Sequence, residues 1–373
     1  MDTAADIYQN HLNYVAESIR NHFSDEQLVV YSAKRNTGSL TYDGIEIGAE
    51  RVAKEIEDLI EQLARDDVCV DRFSIVGYSL GGLVARFVVG LLDHKAYFKR
   101  MRPVNFVTFA TPHLGVRTPL LGYQNQLWNV LGARTLSQSG RELFMIDNFR
   151  QTGRPLLSVL ADPESIFIHA LAKFETRCLY ANVVNDRSAV FYTTAISKYD
   201  PYVHMDRLRL RYVENYGPVV LDPERPFDTL SQEDLPTFYD RLRTRGQSSL
   251  RRIPILIALG VLIPIAVVGF LINSAVQTIR SQRRIQLHEK DEQGPGRVDR
   301  TPLFVQNMRV GLEDAFENFA AIKSLDHVGF KKFPVYIHKS SHSHAAIIVR
   351  TSRAAFEEGK LVVKHWLEKE FNL

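Results

Sequence analysis

Apolar positions along the chain follow two rhythms. Over residues 6–22 (DIYQNHLNYVAESIRNH), Ile7, Leu12, Val15 and Ile19 recur near helical spacing. Over Glu50–Arg65, Val52, Ile56, Leu59, Ile60 and Leu63 share one face. Both patterns predict amphipathic helices. Short apolar runs at Leu28–Ala33, Arg72–Val76, Val104–Ala110 and Arg177–Val184 read as strands, and Gly82–Leu92 as a helix. A mixed helical stretch reaches to about residue 174. Strands alternating with helices predict βαβ units, hence an α/β fold with a mostly parallel sheet and helices on both faces.

The rhythm then breaks. Residues 215–250 are rich in Pro, Asp, Glu and Arg, with weak periodicity, and read as a linker or irregular insertion. Ile253–Ile272 (IPILIALGVLIPIAVVGFLI) contains no charge. Residues 285–302 are polar again, with Gly294-Pro295-Gly296. Globular pattern resumes with a helix over Gly311–Ile322, short strands at Val335–His338 and Ala345–Arg350, and a closing amphipathic helix at about Ser352–Phe371. Three parts follow: 1–213, an insertion over 214–302 carrying the apolar segment, and 303–373.

Composition narrows the class. With 45% hydrophobic and 24% charged residues, the chain is neither disordered, collagen-like nor coiled coil. A net charge of +3 gives no case for a nucleic-acid partner. Two cysteines, Cys69 and Cys178, cannot build a disulfide framework, which points to a reducing compartment. The start, Met-Asp-Thr-Ala-Ala-Asp, has no apolar core of a signal peptide. The uncharged segment 253–272 is long enough to be a membrane candidate and predicts membrane association.

The sharpest motif is Gly77-Tyr78-Ser79-Leu80-Gly81, between a predicted strand and a predicted helix. That is the context in which a serine nucleophile sits on a strained strand-to-helix turn. Gly77 and Gly81 are expected to relieve crowding there, and the Leu80 N–H to face a developing oxyanion. A serine needs a base, and the base an orienting acid, in the chain order Ser, Asp/Glu, His. Asp186 follows a strand and is the preferred acid, with Asp162 and Asp200 as competitors. Ser341-His342-Ser343-His344 offers two histidines, of which His344 is preferred because it abuts the predicted strand. His113 is expected to be structural, and His204 is a weaker alternative. His-x-His could hold a metal, but no carboxylate or cysteine cluster accompanies it. No cofactor and no metal are called for.

The segments GYSLGGLVARF, FVTFATPHLGV, YANVVNDRSAVFYTT and HAAIIVR, in this order, together with the loop AKRNTGSLTYDGIEIGAERVAKEI, resemble the DUF676 serine esterase family. Within it the likeness is greatest to fungal members that act as lipid-droplet phospholipases. The resemblance covers about 11–213 and 330–351. It implies an α/β-hydrolase fold, a lipid acyl-ester substrate, and Ser79, Asp186 and His344 as the triad. Family members begin with a strand and an HGLWG-like turn that supplies a second oxyanion donor. Neither is seen ahead of the first helix here, so the first strand and the oxyanion turn are expected to be missing, as in a truncated gene model.

The apolar segment lies between Asp186 and His344 in sequence. A single membrane crossing would part acid from base. Arginines flank both ends (Arg241, Arg243, Arg245, Arg251 and Arg252 before, Arg280, Arg283 and Arg284 after), which suits both ends being cytosolic. Pro254, Gly260, Pro264 and Gly269 fit a re-entrant hairpin or an in-plane helix. The expected function is a serine acylhydrolase, a phospholipase or lipase, at a lipid-droplet or endoplasmic-reticulum membrane, with phospholipid or neutral lipid as substrate. The alternatives are a protein acyl-thioesterase and a catalytically impaired membrane protein.

Overall fold

Four parallel strands form the sheet: β1 (Arg72–Tyr78), β2 (Arg102–Phe109), β3 (Thr176–Asn182) and, after a small antiparallel pair β4 (Leu208–Leu210) and β5 (Phe227–Thr229), β6 (Lys331–Val335). Their order is β1-β2-β3-β6, and every neighbouring pair is parallel. In this computed structural model the described residues are 11–116, 137–230, 276, 278–287 and 314–373.

The helices include α1 (Asn13–His22), α2 (Ile45–Arg65), α3 (Leu80–His94), α4 (Gln138–Leu143), α5 (Leu156–Leu160), α6 (Ile166–Ala172), α7 (Asp314–Val328), α8 (Ser343–Ala346) and α9 (Glu357–His365), with one short turn of helix at Phe191–Thr194 and a further helix over 278–287. Successive strand residues point to opposite faces of the sheet. Cys178 and Tyr180 therefore join a core with α1 and α9. Leu179 and Ala181 join another with α3, α6 and α7. On the first face the paired residues Tyr78, Phe109, Tyr180 and Phe333 run across the sheet in register. Phe109 and Phe333 both stack on Tyr180, with ring centroids 5.1 and 5.0 Å away. Trp366, wholly buried beyond α9, meets Phe109 edge-on.

The two flanks of the sheet differ. β2 is buried along nearly its whole length, whereas β1 is half-buried until its last two residues. Among the described residues no strand pairs with the outer side of β1. At the other flank, Val220 bridges Val335, Leu221 donates its N–H to Pro334, and Tyr336 donates to Val219.

Several sequence expectations need correction. Leu28–Ala33 forms no strand. Its side chains alternate between half-buried and exposed, but among the described residues no strand pairs with it; Arg20 donates to the Val30 carbonyl and Tyr31 to Glu55. Ala345–Arg350 is not a strand either. It is the end of α8 and a turn, with Ala346, Ile347 and Ile348 fully buried. A short continuous apolar run is buried equally well in either conformation, so pattern alone misassigns it. The strand expected at Val335–His338 lies earlier, at β6, and shares only Val335 with it. Composition places residues 216–221 in the insertion, but Tyr216, Val219, Val220 and Leu221 are core. The apolar segment 253–272 lies outside the described residues, and among those described no helix is long and apolar enough to cross a membrane.

Two contacts yield measurable expectations. Gly359 brings α9 against α8: a Cβ there would lie 1.8 Å from the Ala346 carbonyl oxygen. Gly359→Ala should therefore destabilise the protein by about 1–3 kcal/mol, as overpacking does, read by thermal or urea unfolding. Glu142 is buried where it accepts the Ile45 N–H at the start of α2 (2.6 Å). Burial pushes its carboxyl up to about 8, against hydrogen bonds from Ile45 and Gln138 that favour the charged form. The folded state then keeps a proton that the unfolded chain releases near 4.5, so stability should fall as pH rises from there to about 8. Glu142→Gln should flatten that slope in a pH series of unfolding curves.

Candidate active site

The site is assembled where the strands end. Ser79 follows β1 directly, Ala110 follows β2, and Asn185 lies three residues past β3; all three hold positive φ (52°, 46° and 60°). Such strain in non-glycine residues persists only where the surroundings impose it. At Ser79 the imposing contacts are visible. A Cβ on Gly77 would lie 2.4 Å from the Gly82 Cα, and one on Gly82 would lie 2.1 Å from the Thr111 hydroxyl. The Ser79 N–H donates to the Phe109 carbonyl (3.0 Å), which fixes the turn to the neighbouring strand. Gly81 differs from the expectation: a Cβ there meets nothing within 4 Å. The second glycine that the turn requires is Gly82, and Gly81 borders open space. Leu80 opens α3, and a first-turn N–H has no acceptor within its helix. It is therefore available to an anion beside Ser79.

The histidine and the acid arrive from distant parts of the chain. His344 Nε2 lies 3.0 Å from Ser79 Oγ, and its Nδ1 lies 2.9 Å from Asp186 Oδ2. A carboxylate only accepts, so Nδ1 carries the proton, and Nε2 is the acceptor that faces the serine hydroxyl. Asp186 is almost wholly buried and His344 largely so. The carboxylate takes further hydrogen bonds from Asn182 Nδ2 (2.9 Å) and from the backbone N–H groups of Ser188 (3.0 Å) and Ala189 (2.8 Å). These hold both oxygens and aim one at the imidazole. The helix α8 that carries His344 is held in turn by Ser343, whose hydroxyl donates to the Val184 carbonyl (2.7 Å), and by Tyr78, which donates to the His344 carbonyl (3.0 Å). The Tyr78 ring also lies against the imidazole, with centroids 5.2 Å apart.

The other candidates are engaged elsewhere. Asp162 pairs with Arg154 (2.5 Å), and Asp200 caps a short helix through the Tyr202 N–H. His342 and His204 are exposed. His113 is buried and shares a hydrogen bond with Thr108 (3.0 Å). Burial and the nearby Arg86 and Lys332 hold its imidazole well below the usual histidine range, so it is neutral. Sequence reasoning missed Tyr78, Asn182 and Ser343. Tyr78 was in view inside the motif, but its role depends on where His344 lands, which spacing does not disclose.

A parallel α/β sheet with a serine on a strained turn at a strand end, in hydrogen-bonded series with a histidine and an aspartate, defines the class of serine-esterase-like α/β proteins. The chain belongs to the DUF676 family, described as "Putative serine esterase", whose model matches residues 4–198. It is similar to "Putative lipase ROG1" of Saccharomyces cerevisiae, at 30% identity over 222 residues, which are 58% of this chain and 30% of that protein. It is also similar to "Putative lipase C4A8.10" of Schizosaccharomyces pombe, at 30% identity over 190 residues, 50% of this chain and 24% of that protein. The match thus spans less than a third of these relatives. No solved structure matches.

The two glycines next to Ser79 should respond oppositely to a methyl group. Gly82→Ala should lose about 1–3 kcal/mol of stability through its clash with Thr111. Gly81→Ala should stay within about 0.5 kcal/mol of the parent. Urea unfolding of the pair measures both.

Proposed function

We propose that the protein is a serine acylhydrolase that cleaves fatty-acyl esters of lipids, a phospholipase or lipase, with Ser79 as nucleophile, His344 as general base and Asp186 as the acid that orients it. The observation that carries this reading is the continuous series Ser79 Oγ–His344–Asp186 at 3.0 and 2.9 Å on a strained turn. The family and the names of the relatives supply the substrate class.

In the first step His344 Nε2 takes the Ser79 proton while Oγ bonds to the acyl carbon. The carbonyl electron pair moves onto oxygen, which the Leu80 N–H faces. As the tetrahedral species collapses, the bond to the leaving alcohol breaks and the imidazolium returns its proton to that alcohol. Water then repeats the sequence on the acyl-serine and releases the fatty acid. Asp186 stabilises the imidazolium in both halves. On the family pattern a second oxyanion donor comes from a turn after a first strand, and that strand and turn are the features expected to be missing from this sequence. The fold is read as an α/β-hydrolase.

Membrane or lipid-droplet seating belongs to the same reading. Asp186 and His344 flank the apolar segment 253–272 in sequence yet lie 2.9 Å apart, so a single crossing between them is incompatible with this site. A hairpin or in-plane arrangement in the cytosolic leaflet of the endoplasmic reticulum or a droplet monolayer agrees with it.

Labelling with a fluorophosphonate probe tests the reading. The unaltered chain should label, Ser79→Ala should not, and Asp186→Asn should slow ester hydrolysis by about 10⁴-fold, as loss of the orienting acid does. Equal labelling of the parent and Ser79→Ala, or none in either, would overturn it. Hydrolysis rates on phospholipid, triacylglycerol and acyl-thioester peptides then rank the substrate classes.

A further inference from the structure

The helix over 278–287 returns the chain to the body of the protein just after the apolar segment. Its inner face is tied down by two side chains one turn apart. Ser281 donates to the Tyr42 carbonyl (3.2 Å), and Arg284 grips the fully buried Asp43, with Nη2 2.7 Å from Oδ1, and also donates to the Ser39 carbonyl (2.9 Å). Arg51 holds the other Asp43 oxygen at 2.7 Å. Burial alone would raise the Asp43 carboxyl, but hydrogen bonds from Arg284, Arg51 and Ser281 outweigh it and keep the group below the usual carboxylate range. Arg284, one of the arginines that follow the apolar segment, is committed to this inward contact.

The outer face is of another kind. Val276, Ile279, Arg280, Arg283 and Leu287 have helical spacing and fall on one side. Ile279 is 54% and Leu287 61% exposed, Val276 is exposed as well, and so are both arginines. Large aliphatic side chains interleaved with arginine on one exposed stripe are the composition of a helix lying in a membrane interface, where the apolar groups reach the acyl boundary and the cations meet phosphate. The location agrees. Asp43 precedes α2, whose first N–H groups are held by α4 through Ser139 and Glu142. The last residue of α4 accepts the Val116 N–H (2.8 Å) from the loop that leaves β2, on the same end of the sheet as Ser79.

We propose that the outer face of this helix, Val276, Ile279, Arg280, Arg283 and Leu287, is a docking surface for an anionic phospholipid membrane. The inference deepens the lipid-hydrolase reading and rests on it only for its purpose; the surface itself is argued from its own residues.

Vesicle co-sedimentation of the full chain tests it, with phosphatidylcholine vesicles with and without phosphatidylserine. The parent should bind the phosphatidylserine vesicles more tightly, and that increment should shrink as salt rises. Arg280→Gln/Arg283→Gln should remove an increment of about 30-fold, at roughly fivefold per arginine. Ile279→Ser/Leu287→Ser should weaken binding to both vesicle types. Both variants should label with fluorophosphonate as the parent does, because neither touches the catalytic groups. Variants that bind as the parent, binding indifferent to salt and to phosphatidylserine, or variants that alter only the oligomeric state would overturn the proposal. A chain that binds vesicles in this manner but does not label at Ser79 would overturn the hydrolase reading alone. One that labels but shows no such binding would overturn the surface alone.

Discussion

Gly77 and Gly82 pass so closely that a Cβ on the first would lie 2.4 Å from the Cα of the second. That contact joins the end of β1 to the first turn of α3 and leaves Ser79 no ordinary backbone conformation to occupy. The serine takes φ 52°, its N–H goes to Phe109, and the helix begins at the next residue. Ser79, the neighbouring strand end and the helix N-terminus are thereby fixed relative to one another through close backbone contacts. Side-chain packing beneath, from Leu83, Phe87 and Val88 of α3, holds the strained turn in place.

Around this fixed point the sheet sets where distant residues arrive. Parallel pairing puts the ends of β1, β2, β3 and β6 along one edge, so loops that leave them meet over Ser79. Asp186 comes from the loop after β3, and His344 from the loop and short helix after β6. Their supports are mostly not titrating groups but backbone carbonyls and amides: Val184 for Ser343, the His344 carbonyl for Tyr78, and the Ser188 and Ala189 N–H groups for Asp186. Under the proposed mechanism, neutral backbone partners of this kind hold the geometry while the imidazole changes charge.

The parallel α/β plan was legible because strands and helices alternate with clear periods, and the serine turn because its glycines sit at fixed offsets from Ser79. Chain order and flanking pattern point to Ser79 and Asp186, whereas His344 is preferred for abutting a strand that is instead the end of α8 and a turn, so its place beside Ser79 is seen only in the structure. Fully buried runs were not legible in the same way. Ala345–Arg350 buries its apolar side chains whether helical or extended, and only the approach of Gly359 to the Ala346 carbonyl reveals which. Val219–Leu221 is too short, among prolines and charges, to stand out from a linker, yet it closes the β6 flank. Leu28–Ala33 has the composition and alternation of a strand, but a strand exists only with a partner. The steric role first given to Gly81 belongs to Gly82, because the crowding comes from Thr111 in another segment.

The pairing of β3 with β6, from Cys178↔Lys331 to Asn182↔Val335, has one more consequence. Asp186 and His344, far apart in sequence, are brought together by that ladder and by the core that holds Tyr180, Phe333 and Trp366. The described contacts that bring Asp186 and His344 together thus lie outside residues 231–275, in the sheet and the core beneath it.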